Sequence, residues 1–323
     1  MPCPTIDSGK EVWMENGTAL VTVITCTYNR VATLPRVYES LCRQTFTDFE
    51  WIISDDGSTD STDELVRRWI DEGKLNIVYL YQENNGKHIA TNAAVQVAKG
   101  QYVVNMDSDD YMREDALEVF IRTWQSIPVE ERKHFFAVKA RCYDTSTGEP
   151  IGKSVPGGRL VCNFLDAKYK YKMQDEMWSM CRLEAVKEYP NPDIRGGRAG
   201  GGLRFYPEGI SQDLAARKYK ILLIDDALRA YTRSTSTSLM GYGAKYDRSR
   251  ENIFMWTHIV NDNLDYFWYD PKSFIKAAIG VSMDTFLLKR KLKETYRTLK
   301  GFKQKLLVSL FVPIGWICYL RRK

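Results

Sequence analysis

Four apolar runs spaced along the first 112 residues restrict the fold more than any other feature of this 323-residue chain. They are "ALVTVITCTYNR", "FEWIISDDGSTD", "LNIVYLYQENNGK" and "QYVVNMDSDDYM". Each is followed by a segment with helical signals. "TLPRVYESLCRQTF" spaces Leu34, Val37 and Leu41 on one face. "STDELVRRWIDEG" opens on cap residues, carries Leu65, Trp69 and Ile70, and stops at Gly73. "HIATNAAVQVAKG" is a small-residue helix, and "EDALEVFIRTWQ" follows the fourth run. The strands read as nearly continuous apolar runs, which is what burial on both faces demands. The expectation is an α/β fold built on a doubly wound, mainly parallel sheet.

Ligands of such sheets bind beyond the carboxyl ends of the strands. All four ends here are polar: "CTYNR", "SDDGSTD", "QENNGK" and "DSDD". The last is the most costly, because Asp107, Asp109 and Asp110 place three carboxylates within four residues. A solvated loop tolerates that, and so does a loop that receives a cation. Carboxylates two residues apart at a strand end face the same side and can share a divalent ion with the phosphates it bridges.

The turn after the first strand has no Gly-rich pattern, which excludes the usual dinucleotide and P-loop readings. It offers Tyr28 for stacking on a base, and Thr27 and Asn29 for hydrogen bonds. Asp56 can accept from a base N–H. Thr, Asn and Asp also cap helices, and Asp60 reads equally as a cap or turn residue.

Further along, residues 134–145 read as a strand and 146–172 as an irregular connection with Gly157-Gly158. "WSMCRLEAVKEY" reads as a helix, "RGGRAGGG" as a loop of the kind that orders over a ligand, and "ILLIDDALRAYTR" as a strand. Residues 250–300 carry helical spacing.

The net charge of +5 conceals an asymmetry. Residues 289–323 hold eleven Lys/Arg and one Glu, so the other 288 residues sum to −5. A basic tail calls for an anionic partner of the tail alone. Within it, "LLVSLFVPIGWICYL" (306–320) runs fifteen residues without a charge, short of the ~20 needed to span a bilayer and interrupted by Pro313 and Gly315. The tail therefore reads as an interfacial anchor on an anionic membrane surface, or else as a terminal helix docked on the protein itself. It lacks interleaved aromatics, which argues against nucleic acid. Seven irregularly spaced cysteines and an N-terminus without an apolar core segment suggest reduced thiols and a cytoplasmic protein, peripheral at the cytoplasmic face of the membrane.

"VTVITCTYNRVATLPRVYESLCRQTFTDFEWIISDDGSTDST", "NNGKHIATNAAVQVAKGQYVVNMDSDD" and "RFYPEGISQDLAARKYKILLIDDALRAYTR" together resemble the inverting family-2 glycosyltransferases with the GT-A fold. The resemblance implies a domain over residues 19–235, after an N-terminal tail (1–18) and before a helical extension (236–300) and the basic, apolar tail (301–323). It implies a nucleotide-sugar donor, here a UDP-sugar, a divalent metal (Mn²⁺ or Mg²⁺), and a glycan or lipid-linked acceptor in cell-surface polysaccharide assembly. By the same resemblance, Tyr28 and Asp56 are uracil contacts, Lys87 lies near the diphosphate or ribose, Asp107 is the ribose-side Asp and Asp109 the metal-binding Asp. His88 follows the Lys in many relatives and is otherwise a structural hydrogen-bonder.

The implied mechanism is direct displacement, with a carboxylate base at the start of the acceptor-side helix. Family members commonly carry adjacent Glu-Asp there. This chain departs from that with "PEGISQDLAARKYK", where Glu208 falls nearest and Asp213 lies one turn on, opposite Arg217 at i+4. Asp175 in "YKMQDEMW" is a third candidate. The departure also leaves open a non-catalytic nucleotide-sugar-binding or scaffold protein with the same fold.

Overall fold

The computed structural model describes residues 11–13, 19–195, 203, 205–231 and 248–322. The chain divides into two compact units: Met1–Cys162 with Gln174–Arg204 and Tyr219–Ser238, and Asn163–Met173 with Phe205–Lys218 and Leu239–Lys323.

The first unit is a ten-stranded mixed sheet with helices. Its strands are β1 (Glu11–Trp13), β2 (Val21–Thr27), β3 (Phe49–Asp55), β4 (Ile77–Tyr81), β5 (Tyr102–Asn105), β6 (Tyr111–Met112), β7 (Phe135–Asp144), β8 (Arg159–Cys162), β9 (Met177–Arg182) and β10 (Lys220–Tyr231). Its helices are α1 (Leu34–Cys42), α2 (Thr62–Glu72), α3 (Lys87–Val97), α4 (Ala116–Gln125) and α5 (Leu183–Lys187). The strand order is β1-β4-β3-β2-β5-β9-β7-β10-β6, with β8 also paired to β10.

The four strands expected from the sequence form the parallel block β4-β3-β2-β5. All seven residues of β3 and six of seven in β2 are buried, as their unbroken apolar runs require. Trp51 is fully enclosed and donates its indole N–H to the Thr25 hydroxyl at 2.9 Å. Tyr38 of α1 stacks on Trp69 of α2, centroids 4.4 Å apart. Enclosing rings of this size contributes roughly 2–3 kcal/mol each. At Gly73 the chain turns left-handed (φ 63°) and ends α2, as the sequence indicated.

One segment differs from expectation. Residues 177–182 are not helical but form β9, antiparallel to both β5 and β7, and only α5 is helix. The reason is a period of two: Trp178 and Met180 are buried while Ser179 and Cys181 are more open. Trp178 donates from its indole to the Asn105 carbonyl at 2.7 Å, fixing β9 beside the end of β5. The connection read as irregular contains β8. Among the described residues no two cysteines form a disulfide.

The second unit is helical: α6 (Glu208–Ala215), α7 (Ser249–Asp262), α8 (Pro271–Leu287), α9 (Leu292–Thr298) and α10 (Phe302–Arg322). A π-helical turn at Asp166–Lys170 and a 3₁₀ segment at Leu264–Tyr269 complete it. Phe274, Ala277, Ala278 and Val281 of α8 are fully buried. Gly280 lies under the Trp256 ring, where a Cβ would come within 2.6 Å, so the close approach of α7 and α8 needs that glycine. α10 packs along α8 and continues through Pro313 and Gly315 without a break.

Candidate functional site

Strand order reverses between β2 and β5, because the chain leaves β2 for β3 on one side and later returns as β5 on the other. At such a reversal a doubly wound sheet binds its ligands, beyond the strand ends. Thr27 at the end of β2 is buried, and its hydroxyl has no hydrogen-bond partner among the described residues. A buried polar atom in that state marks a place for a ligand. Tyr28 beside it is exposed. Asn29 adopts φ 54°, accepts at Oδ1 from the Thr59 N–H (2.8 Å), and donates its own N–H to Ser58 Oγ at 2.8 Å. Asp60 accepts from the Val31 N–H at 3.1 Å. These two residues clasp the β2 and β3 turns together.

Asp56 is buried and clasps a third loop. Its Oδ1 accepts from Gln82 Nε2 (2.8 Å) and the Asn85 N–H (2.9 Å), and its Oδ2 from the Gly86 N–H (2.8 Å). A carboxylate has about four acceptor positions, so roughly one remains for a ligand. Burial raises the Asp56 carboxyl above its ordinary range, against the pull of those hydrogen bonds. Gly86 holds φ 104°, and a Cβ there would meet the Leu203 carbonyl at 2.5 Å; only glycine fits. Lys87 follows at the start of α3 and reaches Asp107 Oδ1 at 2.8 Å. His88 is buried with Nε2 3.0 Å from the Ile194 carbonyl.

At the end of β5, the three carboxylates differ sharply. Lys87 beside it, helped by Arg229, holds Asp107 down to about 2 despite burial. Burial pushes Asp110 up to about 7, with Arg229 opposing and Asp107, Asp109 and Glu176 adding to the rise. Asp109 is raised by burial and then by Asp107. Among the described residues no Lys or Arg lies within ion-pairing distance of the Asp109 carboxylate.

Arg229 is the residue the sequence reading missed. It lies buried on β10, with Nη1 3.6 Å from Asp107, Nε 3.5 Å from Asp110 and Nη2 2.5 Å from Glu176. Its backbone pairs with Met112 of β6, directly after the acidic loop. A guanidinium in mid-strand, "ALRAY", was the available signal, but its partners lie 53 residues away at Glu176 and more than a hundred away at Asp107 and Asp110.

The base candidates occupy different settings. Asp175, in the first unit, is exposed and accepts from the Lys153 N–H at 3.3 Å. Glu208 is exposed in the first turn of α6. Asp213 is buried one turn on. It does not face Arg217, which instead forks onto Asp265 at 2.7 and 2.8 Å. Asp213 Oδ2 collects Asn263 Nδ2 (2.7 Å), Lys168 Nζ (3.0 Å) and His258 Nε2 (3.4 Å). Burial alone would raise its carboxyl, but the bond from His258 and the charge of Lys168 bring it below the ordinary range. Most of the "RGGRAGGG" loop (196–202) lies outside the described residues.

A divalent cation fits the acidic loop on two observations: Asp109 forms no ion pair among the described residues, and Asp107 repels it more than either Arg30 or Lys87 attracts it. Oxygen donors are the set that Mg²⁺ and Mn²⁺ take.

Comparison with known proteins bears on the family and the fold. The sequence model described as Glycosyl transferase family 2 matches residues 22–130. Glycosyltransferase GlyG of Streptococcus pneumoniae serotype 4 is 34% identical over 248 residues, spanning 75% of this chain and 80% of that protein. Hyaluronan synthase of Pasteurella multocida is 36% identical over 107 residues, 33% of this chain and 11% of that protein. Several curated relatives are thus matched over less than half their length, from 42% down to 11%. The crystal structure of S. aureus TarS 1–349 in complex with UDP-GlcNAc shares the fold at TM-score 0.59 and 21% identity, covering 89% of this chain and 79% of that one.

Proposed function

We propose a reaction from one premise: this chain belongs to glycosyl transferase family 2 and has the GT-A fold. The reaction is transfer of a sugar from a nucleotide-sugar, in our reading a UDP-sugar, to an acceptor hydroxyl with inversion at the anomeric carbon. The observation that carries it is the unbalanced acidic loop at the end of β5, with Asp109 unpaired among the described residues and Asp107 held ionised by Lys87.

In this reading Tyr28 stacks on the base, and Thr27 and the remaining acceptor position of Asp56 hydrogen-bond to it. Asn29 shapes the turn that presents Tyr28. Asp107 accepts from ribose hydroxyls, and Lys87 turns toward the diphosphate once the donor arrives. Asp109, with Asp107 near it, would hold Mn²⁺ or Mg²⁺, which when bound neutralises negative charge on the departing diphosphate. Arg229 keeps Asp107 and Asp110 together in the absence of donor.

Glu208 is the base in this reading. It takes the proton of the acceptor hydroxyl. The oxygen then forms a bond to the anomeric carbon as the bond to the diphosphate breaks on the opposite face. The place of Glu208 in the first turn of α6 puts it at the positive end of the helix dipole. Asp213 is a poorer base because Asn263 and Lys168 already donate to it, with the His258 ring beside them. The name of one relative, hyaluronan synthase, supports a glycan as acceptor.

A panel of UDP-sugars scored by thermal shift, with and without Mn²⁺, and by UDP release tests the reading. Metal-dependent binding with release of UDP supports it. Binding without release on any acceptor would instead favour a nucleotide-sugar-binding protein.

A further inference from the structure

The last helix has two faces. Val308 and Gly315 of α10 are buried against α8, and Gly315 sits so close to Ser282 that a Cβ would come within 2.5 Å. Phe286 of α8 meets Trp316 edge-on at 4.9 Å and Tyr319 at 5.9 Å. This face is held by the protein. The opposite face carries Phe302, Leu306, Leu310, Ile314, Ile317 and Leu320, each between 43% and 77% exposed. Steps of three and four residues line them up as one apolar stripe. Patches of this kind on a soluble surface mark a binding face.

The charges say what kind. Lys303 and Lys305 stand at one end of the stripe, and Arg321 and Arg322 at the other. None of the four has a carboxylate within ion-pairing distance among the described residues. No acidic residue occurs after Glu294. A second copy of the chain is thereby disfavoured, since antiparallel pairing of two such helices sets the lysines against the arginines. Parallel pairing sets each cluster against itself. An anionic lipid surface complements both ends at once, with the apolar stripe between them entering the acyl boundary.

We propose that the outer face of α10 lies in the headgroup region of an anionic phospholipid bilayer and holds the chain to that surface without crossing it. By length and composition alone the 21-residue α10 could cross a membrane, but two features oppose it. The uncharged stretch 306–320 is fifteen residues, about 22 Å of helix, against a hydrocarbon core of about 30 Å. The inner face is also committed to α8, which buries the polar Ser282, Asp284 and Thr285. The two faces thus give α10 two solvents, protein on one side and lipid on the other.

The test is flotation of the full chain on vesicles of phosphatidylcholine alone and of phosphatidylcholine mixed equally with phosphatidylglycerol. Tight binding is expected only to the anionic vesicles, weakened by salt and released by alkaline carbonate. L310D/I317D changes two exposed side chains and should cut binding at least about tenfold with an unchanged unfolding midpoint. K303E/K305E leaves the stripe intact and should weaken anionic binding by about thirtyfold while leaving the weak phosphatidylcholine binding as it was. Undiminished flotation of both variants overturns the proposal. Resistance to carbonate extraction overturns the non-spanning mode. A chain that does not float, and is dimeric until L310D/I317D makes it monomeric, assigns the stripe to a second copy instead.

Discussion

Asp109 and Asp213 are both carboxylates in protected settings, and their surroundings are opposite. Asp109 is raised by burial and by Asp107, and no cation is within ion-pairing distance of it among the described residues, so its charge is a cost. Asp213 has a lysine, a histidine and an amide on one oxygen, so its charge is an asset. The first arrangement makes sense when a cationic ligand completes it. The second is complete as it stands and joins α6 to α7 and to the turn at Asp166–Lys170. Counting the donors around a carboxylate therefore separates a ligand site from a structural anchor where the sequence shows Asp in both.

Substitution at each site offers the strongest way to break this contrast. Asp109→Asn is expected to lower UDP-sugar turnover by about a thousandfold or more, and to abolish the metal-dependent thermal shift by UDP. Its own unfolding midpoint should stay level or rise, since a repulsion is removed. Full turnover in that variant, or in excess EDTA, would sink the metal reading.

Glu208→Gln sharpens the contrast from the other unit. Turnover should fall by about 10²–10⁴, with UDP-sugar affinity nearly unchanged. Should turnover survive there but collapse in Asp213→Asn or Asp175→Asn, then the donor count has misidentified the base, while family membership stands.

Asp213→Ala should cost about 3 kcal/mol in urea unfolding, because it leaves buried donors without their acceptor. Lys168 is partly open to water, which keeps the loss at the low end of such cases. Asp109→Ala should cost nothing. Equal losses at the two sites would remove the distinction.

The smallest effect is on pH. The Asp213 carboxyl titrates in the folded chain below its ordinary value of 3.8, so its contribution is complete above that pH. It drains as pH falls through the lower, folded value. Asp213→Asn should therefore flatten the fall of stability below about pH 4 and leave the slope near neutrality unchanged. An acid limb identical in the variant would show that Asp213 is not stabilised by its partners.

The β-α alternation was legible because every signal in it is local: apolar runs, caps, a glycine stop. The strand ends were legible as a candidate site because that is where a doubly wound sheet binds its ligands. β9 was misread because "WSMCRLEAVKEY" has a strand half and a helix half, and the helix half set the period assigned to both. Arg229 could not be found locally, since its meeting with Asp107 and Asp110 is made by a β-ladder joining residues 112 and 229. The i+4 rule pointed Asp213 at Arg217, but tertiary partners on three other segments took both. Pro313 and Gly315 suggested a broken helix. Packing on Ser282 makes Gly315 a contact residue instead.

The short β6 ladder sets a rule about chain length. Met112 pairs with Arg229 and Tyr111 with Ala230, while the Arg113 N–H reaches the Leu228 carbonyl at 2.9 Å. Only Asp107 to Asp110 lie between Met106, tied to β2 by a 2.8 Å bond, and this ladder. One inserted or deleted residue would slip the pairing, turn Met112 out of the core and carry Arg229 away from its acids. Residues 107–112 should thus accept some changes of side chain but none of length, whereas the exposed turn at residues 145–149 should absorb insertions. A library of single-residue insertions across the chain would map that boundary to the residue.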